Sequence, residues 1–330
     1  MKVVFVAPYA LPMSIGGFQG QVYQIFDGLK KLGVDVCWHS FERNEIKDAD
    51  ILQVMSTDSS MISMIKRAKN AGKKIVLTPM LGSRVKSNMY LKSALALSHI
   101  PQICSTHRLT AEVIRNADHI TPLCSFEANR MTEVYGVPNS RITVIPNGIN
   151  QEFLEGEPVK RDLPFEEYIL IVGRIEQNKN QLNLIKACNE LNLNLIIVGE
   201  PGSDGEGYLS ACKKISGSNI HYWGLEKNPL VLKYLYQKAK VTAIPSYSEM
   251  VPLVAFESLS QKTPVICTNR CGINGDMIPG LFYSDVSKKA LLMSIPKTID
   301  YKRNEITDRG IYTWSDIATK YLNVYTSLNV

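Results

Sequence analysis

Short apolar runs rich in β-branched residues alternate with longer amphipathic segments along the chain. Residues 3–7 are continuously apolar, which is typical of a parallel strand covered on both faces. Val22, Ile25 and Leu29 then recur at helical spacing, and Gly33 ends the helix. This alternation predicts a parallel, doubly wound sheet. Further strands are expected at 34–39, 51–55, 75–78, 119–122 and 143–145, with helices near 59–71, 106–116 and 125–135.

The pattern restarts after residues 152–164, which contain several acids, two prolines and almost no periodicity. A buried strand is predicted at 168–172 and ends at Gly173. We therefore expect two Rossmann-like domains, 1–150 and 166–310, joined by a linker at 151–165. The second domain is expected to hold further strands and helices: strands at 193–198, 220–223, 241–244 and 264–267, and helices at 180–191, 206–216, 229–239 and 252–261.

Open α/β sheets bind ligands outside the carboxyl ends of their strands. Two such sheets would present these edges to one cleft, so the fold expected here is α/β, with two doubly wound domains facing across a cleft. Domain closure is then the expected way to exclude water from the site.

The chain has 330 residues, about twice the ~150 of a typical domain. Its 45% hydrophobic and 21% charged residues exclude a largely disordered protein. A net charge of +6 is too small to indicate nucleic acid. No apolar run approaches the ~18 residues of a membrane span, and the N-terminus reads as a strand rather than a signal peptide.

The seven cysteines are scattered and include no Cys-x-x-Cys pair. A disulfide framework or a zinc site would need closer, paired spacing. We expect reduced thiols in a cytoplasmic protein.

The segment at 245–257 follows a predicted strand and leads into a helix. Pro252 suits the first helical position, because its missing N–H is not needed there. The amides of Leu253 and Val254 would then be free first-turn donors. Such a helix start favours phosphate.

Two carboxylates occupy this segment, Glu249 before the helix and Glu257 inside it. A carboxylate in an apolar stretch is costly to bury without hydrogen-bond donors, and sugar hydroxyls are suitable donors. Two structural alternatives remain open. In the first, Glu249 is an exposed acid in a loop. In the second, Glu257 pairs with a neighbouring lysine.

Arg174 and Lys179 follow the strand at 168–172 and would be presented at the carboxyl edge of its sheet. Arginine grips phosphate through two parallel hydrogen bonds, and lysine supplies a point charge. A solvated loop is the alternative. Gly16 and Gly17 follow the first strand, where the missing side chains let backbone approach a ligand.

A nucleotide diphosphate attached to a sugar satisfies all these features together. A plain dinucleotide fits less well, because the loop after the first strand lacks the Gly-x-Gly-x-x-Gly spacing.

In these residues and their order, the chain resembles the retaining GT-B glycosyltransferases of glycosyltransferase family 4. The resemblance covers nearly the whole chain in the right order. A C-terminal segment, 311–330, looks like the family's closing helix, which crosses back to the first domain. Four motifs carry the likeness: Glu249-x7-Glu257, Gly173-Arg174…Lys179-Asn180, Val144-Ile145-Pro146-Asn147-Gly148-Ile149 and Gly16-Gly17.

The resemblance implies a hexosyltransferase-type enzyme with a nucleotide-sugar-binding C-terminal domain and an acceptor-side N-terminal domain. Arg174 and Lys179 would hold the diphosphate and neutralise the departing nucleotide. Glu249 would contact the donor sugar, so these three are the expected catalytic residues. Glu257 would bind the ribose hydroxyls.

Backbone groups complete the donor-binding set that the resemblance implies. Gly16 and Gly17 would approach the phosphate or the acceptor, and Gly173 lies beside the two cations. The amides of Leu253 and Val254 would complete the phosphate cradle.

In this family the leaving phosphate is usually held to accept the acceptor's proton during front-face attack. Catalysis would then be mostly charge stabilisation and positioning. No metal and no other cofactor is expected.

Two positions depart from the family pattern. Many members carry a histidine after the strand that precedes the central loop of the N-terminal domain, and Met80 takes that place here. Pro252 stands where other members offer the sugar a backbone N–H. Both departures bear on donor identity and activity.

The expected partners are a UDP- or GDP-linked sugar and a saccharide or lipid-linked saccharide acceptor, as in bacterial surface polysaccharide or glycoconjugate biosynthesis. The apolar residues of 89–97 lie near three basic residues, Arg84, Lys86 and Lys92. This pattern suits a helix at the inner face of the membrane. A core helix with a solvated basic edge is the alternative.

Two other functions stay open from the sequence. One is a nucleotide-sugar epimerase on the same scaffold. The other is a non-catalytic nucleotide-sugar-binding partner subunit, for which Met80 and Pro252 are the support.

Overall fold

The computed structural model of the chain describes residues 1–13, 16–40, 45–81, 87–98, 100, 105–202, 205–273 and 278–328. It divides into two compact units. The first comprises Met1–Gly148 and Tyr312–Val330, and the second comprises Ile149–Ile311. The segment expected to be a linker groups with the second unit. Its short helix α6 (Glu152–Glu155) places Phe153 in the core.

The first unit is built on five parallel strands in the order β2-β1-β3-β4-β5. Buried aliphatic residues such as Val4, Leu52 and Leu77 form its core, as expected for strands covered on both faces. The five strands are β1 (Lys2–Val6), β2 (Asp35–Trp38), β3 (Ile51–Met55), β4 (Lys74–Thr78) and β5 (His119–Ile120).

The prediction of a strand at 143–145 is wrong. The amides of Thr143 and Ile145 donate to the carbonyls of Ile120 and Pro122, at 3.0 and 2.9 Å. The segment therefore runs along β5, but only one isolated bridge, Ile120 to Ile142, forms. Pro122 has no N–H to return a bond, so a regular ladder does not continue.

Helices cover this sheet, and those predicted at 106–116 and 125–135 are confirmed at the same residues. Ser105 caps one of them through the amide of His107, and Gly136 ends the other with a φ of 68°. The helices are α1 (Gly17–Lys31), α2 (Ile62–Asn70), α3 (Asn88–Leu97), α4 (Thr106–Asn116), α5 (Ser125–Tyr135) and the C-terminal α12 (Trp314–Ser327).

Helix α12 belongs to the first unit although it lies at the other end of the chain. A capping box between Thr313 and Asp316 starts it. It packs against α1 so closely that a Cβ on Gly28 would lie 2.7 Å from the Cβ of Ala318. Glycine at position 28 is what permits this approach.

A buried hydrogen-bond network also fixes α12 to the sheet. The Thr78 hydroxyl lies 2.8 Å from the Thr121 hydroxyl and 2.9 Å from the Tyr321 hydroxyl. The Tyr325 hydroxyl donates to Gln53 Oε1 at 2.8 Å, and Gln53 Nε2 donates to Thr78 Oγ1 at 3.0 Å. Because these groups are buried, satisfying them together favours one position of α12.

The second unit contains a six-stranded parallel sheet in the order β11-β10-β9-β6-β7-β8. The predicted class, α/β with two doubly wound parallel sheets, is confirmed. Strand β9 is confirmed at the predicted residues. The strands are β6 (Ile169–Val172), β7 (Leu195–Val198), β8 (Ile220–Gly224), β9 (Val241–Ile244), β10 (Val265–Thr268) and β11 (Leu281–Ser284).

The four helices predicted for this unit are confirmed to within one residue at either end. The final strand–helix pair, β11 and α11, was not predicted. The helices are α7 (Gln181–Leu191), α8 (Glu206–Ile215), α9 (Pro229–Lys238), α10 (Leu253–Ser260) and α11 (Lys288–Ile299).

Candidate active site

The strand order of the second sheet reverses between β6 and β9, which are direct neighbours. Loops that leave two such strands diverge, and ligands of open α/β sheets bind in the crevice they form. The loop after β6 carries Arg174 and Lys179, and the loop after β9 carries Glu249. The structure therefore brings these candidate residues to one switch point.

Lys179 and Glu249 form an ion pair at this point, with Lys179 Nζ 2.5 Å from Glu249 Oε1. The two side chains are only 24% and 12% exposed. Partial burial weakens solvent screening, so the pair is stronger than an ordinary surface ion pair. Glu249 is thus not the exposed loop acid of the alternative interpretation.

The loop after β6 begins and ends in left-handed backbone. Gly173 has a φ of 147°, a conformation that favours glycine. The aliphatic part of Lys179 passes over it, since a Cβ built on Gly173 would meet Lys179 Cε at 3.6 Å. The turn Gln177–Lys179 ends at Asn180, which has a φ of 59°.

Asn180 and Asn178 attach this loop to its neighbours. The buried Asn180 amide donates to the carbonyls of Pro245 and Val286, at 2.9 and 2.8 Å. Asn178 Nδ2 donates to the carbonyl of Ser248 at 3.1 Å, and its own carbonyl accepts from the Tyr247 amide at 2.7 Å. These bonds fix the distance between Lys179 and Glu249. This role of Asn180 was not predicted, because its partners lie far away in sequence.

Arg174 lies in the same loop and makes a two-point contact with Glu176. Its Nε and Nη2 each lie 3.2 Å from a Glu176 carboxylate oxygen. The backbone carbonyl of Arg174 also accepts from Gln181 Nε2 at 2.8 Å. Both candidate phosphate-binding cations are therefore held by carboxylates in this structure. The role of Glu176 was missed, since a carboxylate two residues from an arginine is an ordinary loop pattern.

Glu257 accepts a hydrogen bond from the Tyr236 hydroxyl of α9, with 2.8 Å between the oxygens. Burial raises the pKa of Glu257 to about 7, and the Tyr236 hydrogen bond opposes that rise. Among the described residues, the partner of this carboxylate is a tyrosine and not the lysine considered as an alternative. Tyr236 was missed as a site residue, since a buried tyrosine in a helix reads as core.

Helix α10 begins at Leu253, directly after the loop that carries Glu249. Pro252 is its N-cap, one residue before the position the sequence predicted, and provides no side-chain cap. Among the described residues, the amides of Leu253 and Val254 have no hydrogen-bond acceptor. They are orphan donors of a helix start, which favours a negative charge.

The candidate residues of the first unit follow β1 and β4 along the chain. Gly16 caps α1 with a φ of 155°, and Gly17 is the first residue of that helix. Met80 follows β4 with a φ of 53°, which is uncommon for a side chain of its size. The carboxylate of Glu127 holds the next amide, that of Leu81, at 2.7 Å.

Helix α3 carries the apolar residues considered for a membrane surface. Leu91 and Leu95 are buried, whereas Met89 and Leu97 are 78% and 58% exposed. Lys92 is exposed as well. Arg84 and Lys86, which belong to the same hypothesis, lie outside the described residues, so membrane contact stays a prediction.

Within the described ranges, no three His, Cys, Asp or Glu side chains cluster as metal ligands would. No described helix is both long and apolar enough to cross a bilayer. The six cysteines that the structure describes are all free thiols. Cys104 is outside those ranges.

The two parallel α/β units and the charged switch point of the second define a protein of the GT-B class. Two family models match the chain, the one for glycosyltransferase family 4 over residues 15–153 and the one for glycosyl transferases group 1 over residues 158–289. The chain belongs to the GT-B glycosyltransferases of the family 4 type.

Among curated proteins, the chain is similar to a D-inositol 3-phosphate glycosyltransferase from Segniliparus rotundus. The two are 25% identical over 239 residues, which cover 65% of this chain and 53% of that protein. The chain spans about half the length of the curated relatives it matches.

Two solved structures share the fold over almost their whole length. Sucrose-phosphate synthase from Thermosynechococcus elongatus aligns with a TM-score of 0.75 at 18% identity, covering 99% of each chain. HepE from Anabaena, solved in complex with UDP, aligns with a TM-score of 0.71 at 14% identity and covers 99% of this chain and 100% of its own.

Proposed function

We propose that the protein is a glycosyltransferase that moves a sugar from a nucleotide diphosphate sugar to a saccharide or lipid-linked saccharide. The observation that carries the proposal is the Lys179–Glu249 pair at the β6–β9 switch point, beside the uncapped start of α10. An ammonium, a guanidinium and two unpaired amides suit a diphosphate. A carboxylate beside them suits the hydroxyls of the attached sugar.

UDP is the first nucleotide to test. HepE, which shares this fold, was solved with UDP. In the proposed complex Glu257 accepts hydrogen bonds from the ribose hydroxyls, and Tyr236 keeps its carboxylate oriented through the bond at 2.8 Å. Leu253 and Val254 donate their amides to the diphosphate.

The proposed reaction retains the configuration at the anomeric carbon and uses no metal. The acceptor oxygen forms a bond to the anomeric carbon while the bond from that carbon to the diphosphate breaks. The acceptor's proton passes to the departing phosphate oxygen. Lys179 and Arg174 then neutralise the charge that develops on the diphosphate, which is electrostatic stabilisation of the transition state.

To bind the diphosphate, Lys179 and Arg174 must each leave their carboxylate partner or share the contact between that partner and the phosphate. Lys179 is held by Glu249 and Arg174 by Glu176, so both are positioned before donor binds. Positioning of this kind reduces the reorganisation that the reaction requires.

The curated relatives are named for D-inositol 3-phosphate, so a polyol phosphate belongs in the acceptor screen beside saccharides and lipid-linked saccharides. Surface polysaccharide or glycoconjugate biosynthesis is the proposed setting.

The test is a transfer assay with radiolabelled UDP-sugars and GDP-sugars against that acceptor screen. We expect labelled product with wild-type protein, and at least a hundredfold slower transfer by Lys179→Ala. NMR of the product's anomeric proton decides between retention and inversion. A reaction without acceptor tests the epimerase alternative, because an epimerase would convert the nucleotide sugar when no acceptor is present. No turnover with any donor, together with measurable UDP binding, would instead favour a binding subunit.

A further inference from the structure

A cavity of about 860 Å³ lies within the second unit, beside the loop that follows β6. This volume is within the range of about 300–1,000 Å³ that ligand pockets occupy. Its walls come from that loop, from α7 and α8, from the described residues of the loop between β7 and α8, and from the loop after β9. Of the residues that the structure describes, the four charged candidates Arg174, Lys179, Glu249 and Glu257 are not part of its lining.

Amides and aromatic rings dominate the chemistry of this cavity. Gln177, Asn178 and Asn183 line it, together with Tyr208 and Tyr247. Each amide side chain carries both hydrogen-bond donors and acceptors. Each tyrosine combines an apolar ring with a polar hydroxyl. A sugar ring has the complementary pair of features, since its hydroxyls donate and accept while its C–H faces are apolar.

The charges around the cavity favour an uncharged ligand. Of the described lining residues, only Glu176 and Lys186 are charged. Glu176 is already engaged by the two contacts from Arg174, and Lys186 is a solvent-exposed lysine on α7. A single exposed ammonium is a weak phosphate site, and a carboxylate that is already paired is a weak cation site.

Three of the described lining residues are glycines, which contribute no side chain to the cavity. They are Gly202, Gly205 and Gly207. A Cβ on Gly205 would lie 2.5 Å from the Ile175 carbonyl oxygen, so no side chain fits there. A Cβ on Gly202 would lie 3.2 Å from Glu176 Oε2 and would press on the carboxylate that holds Arg174.

We propose that this cavity is a second ligand site, which binds an uncharged saccharide. The sugar rings pack against Tyr208 and Tyr247, and their hydroxyls bond to the amides of Asn178 and Asn183. The site goes beyond the proposed transfer reaction and does not require it. It shares backbone with the candidate active site, because the Tyr247 amide donates to the Asn178 carbonyl at 2.7 Å.

The first experiment presents the full-length protein, without nucleotide, to an array of uncharged oligosaccharides. The oligosaccharide that binds most strongly is then titrated by calorimetry. We expect binding by the wild type, and binding about tenfold weaker in Tyr247→Ala, which removes one ring contact. Tyr247→Phe keeps the ring and is expected to bind within about threefold of the wild type.

Asn183→Ala tests the amide wall, and Lys214→Ala is the matched control. Lys214 is an exposed lysine of α8 that does not line the cavity. We expect about tenfold weaker binding for Asn183→Ala and unchanged binding for Lys214→Ala. Asn183 Nδ2 also donates to the Val286 carbonyl, so thermal unfolding of each variant checks that the fold is intact.

The same titration in saturating UDP separates this site from the candidate active site. Binding that persists with UDP, and in Lys179→Ala, supports a separate cavity. The proposal is overturned if the wild type binds no oligosaccharide, if Tyr247→Ala and Asn183→Ala bind as tightly as the wild type, or if UDP displaces the sugar. UDP binding is measured for every variant, so loss of the saccharide site alone leaves the proposed function standing.

Discussion

Lys179 Nζ lies 2.5 Å from Glu249 Oε1, although the two residues are 70 positions apart in the sequence. The pair connects the loops after β6 and β9, where the strand order of the second sheet reverses. Glu249 keeps the ammonium of Lys179 in place without a ligand, at a sheet edge where ligands of this fold class bind. A cation and an anion held together can address a diphosphate and a sugar hydroxyl at the same time.

Removing the ammonium is expected to weaken nucleotide binding and to leave Glu249 partly buried and unpaired. For Lys179→Ala we predict UDP affinity about ten- to a hundredfold below that of the wild type, because a charge-assisted hydrogen bond contributes about 1.5–3 kcal/mol. Isothermal titration calorimetry with UDP measures this. Lys214→Ala removes an exposed lysine of α8 and should bind UDP as the wild type does. Equal affinities for the two variants would exclude Lys179 from the site.

The raised pKa of Glu257, about 7, makes a specific contribution to how stability varies with pH. In the unfolded chain this carboxyl ionises near its ordinary pKa of about 4.3, so between pH 4.3 and 7 the folded protein binds more protons. The contribution is therefore stabilising below about pH 4.3 and is lost as the pH rises through 7. We predict that Glu257→Gln is stabilised relative to the wild type at pH 8, by an amount on the order of 3 kcal/mol.

Urea unfolding of both proteins at pH 5 and pH 8 checks this prediction. The difference in unfolding free energy between Glu257→Gln and the wild type should grow between these two values. Tyr236→Phe removes the hydroxyl that donates to the carboxylate, so it should raise the pKa of Glu257 further and move the change to higher pH. A difference that does not vary with pH would contradict the assigned pKa.

Glu127 is predicted to stabilise the first unit through two backbone amides. Its carboxylate is 4% exposed and accepts from Leu81 at 2.7 Å and from Leu123 at 2.8 Å. Glu127→Ala leaves both donors without an acceptor, which we expect to cost about 2–4 kcal/mol in urea unfolding. Glu133→Ala, on the exposed side of the same helix, should cost less than about 1 kcal/mol. Similar losses of unfolding free energy in the two variants would mean that the hydrogen bonds from Leu81 and Leu123 to Glu127 contribute little.

The close packing of α1 on α12 predicts an effect opposite to helix propensity. Alanine is favoured over glycine in a helix by about 1 kcal/mol, yet Gly28→Ala would place a Cβ 2.7 Å from that of Ala318. We predict a loss of about 1–3 kcal/mol for Gly28→Ala, measured by thermal unfolding. The double variant with Ala318→Gly should recover part of it. A stabilised Gly28→Ala protein would show that the two helices separate easily.

Much of the fold could be predicted from the sequence, because buried parallel strands and amphipathic helices leave periodic patterns. The helix at 125–135 and the strand at 241–244 are found where the pattern predicts them. The sequence pattern could not exclude a strand at 143–145. Regular pairing there is interrupted by Pro122, which lies just after β5 in the neighbouring segment. Pairing across strands is not recorded in the periodicity of either segment.

The candidate site was predictable as a set of residues but not as a set of contacts. The sequence places Arg174 and Lys179 after one strand and Glu249 after another, and the topology brings the loops together. It does not reveal that Glu176 holds Arg174 or that Tyr236 holds Glu257. These partners depend on side-chain directions in the folded chain.

The most direct test of the central claim is a crystal structure of the protein with UDP. We predict the diphosphate within hydrogen-bond distance of Arg174, Lys179 and the amides of Leu253 and Val254, with the ribose on Glu257. Diphosphate density elsewhere on the chain, or a soaked crystal with none at the start of α10, would contradict the account.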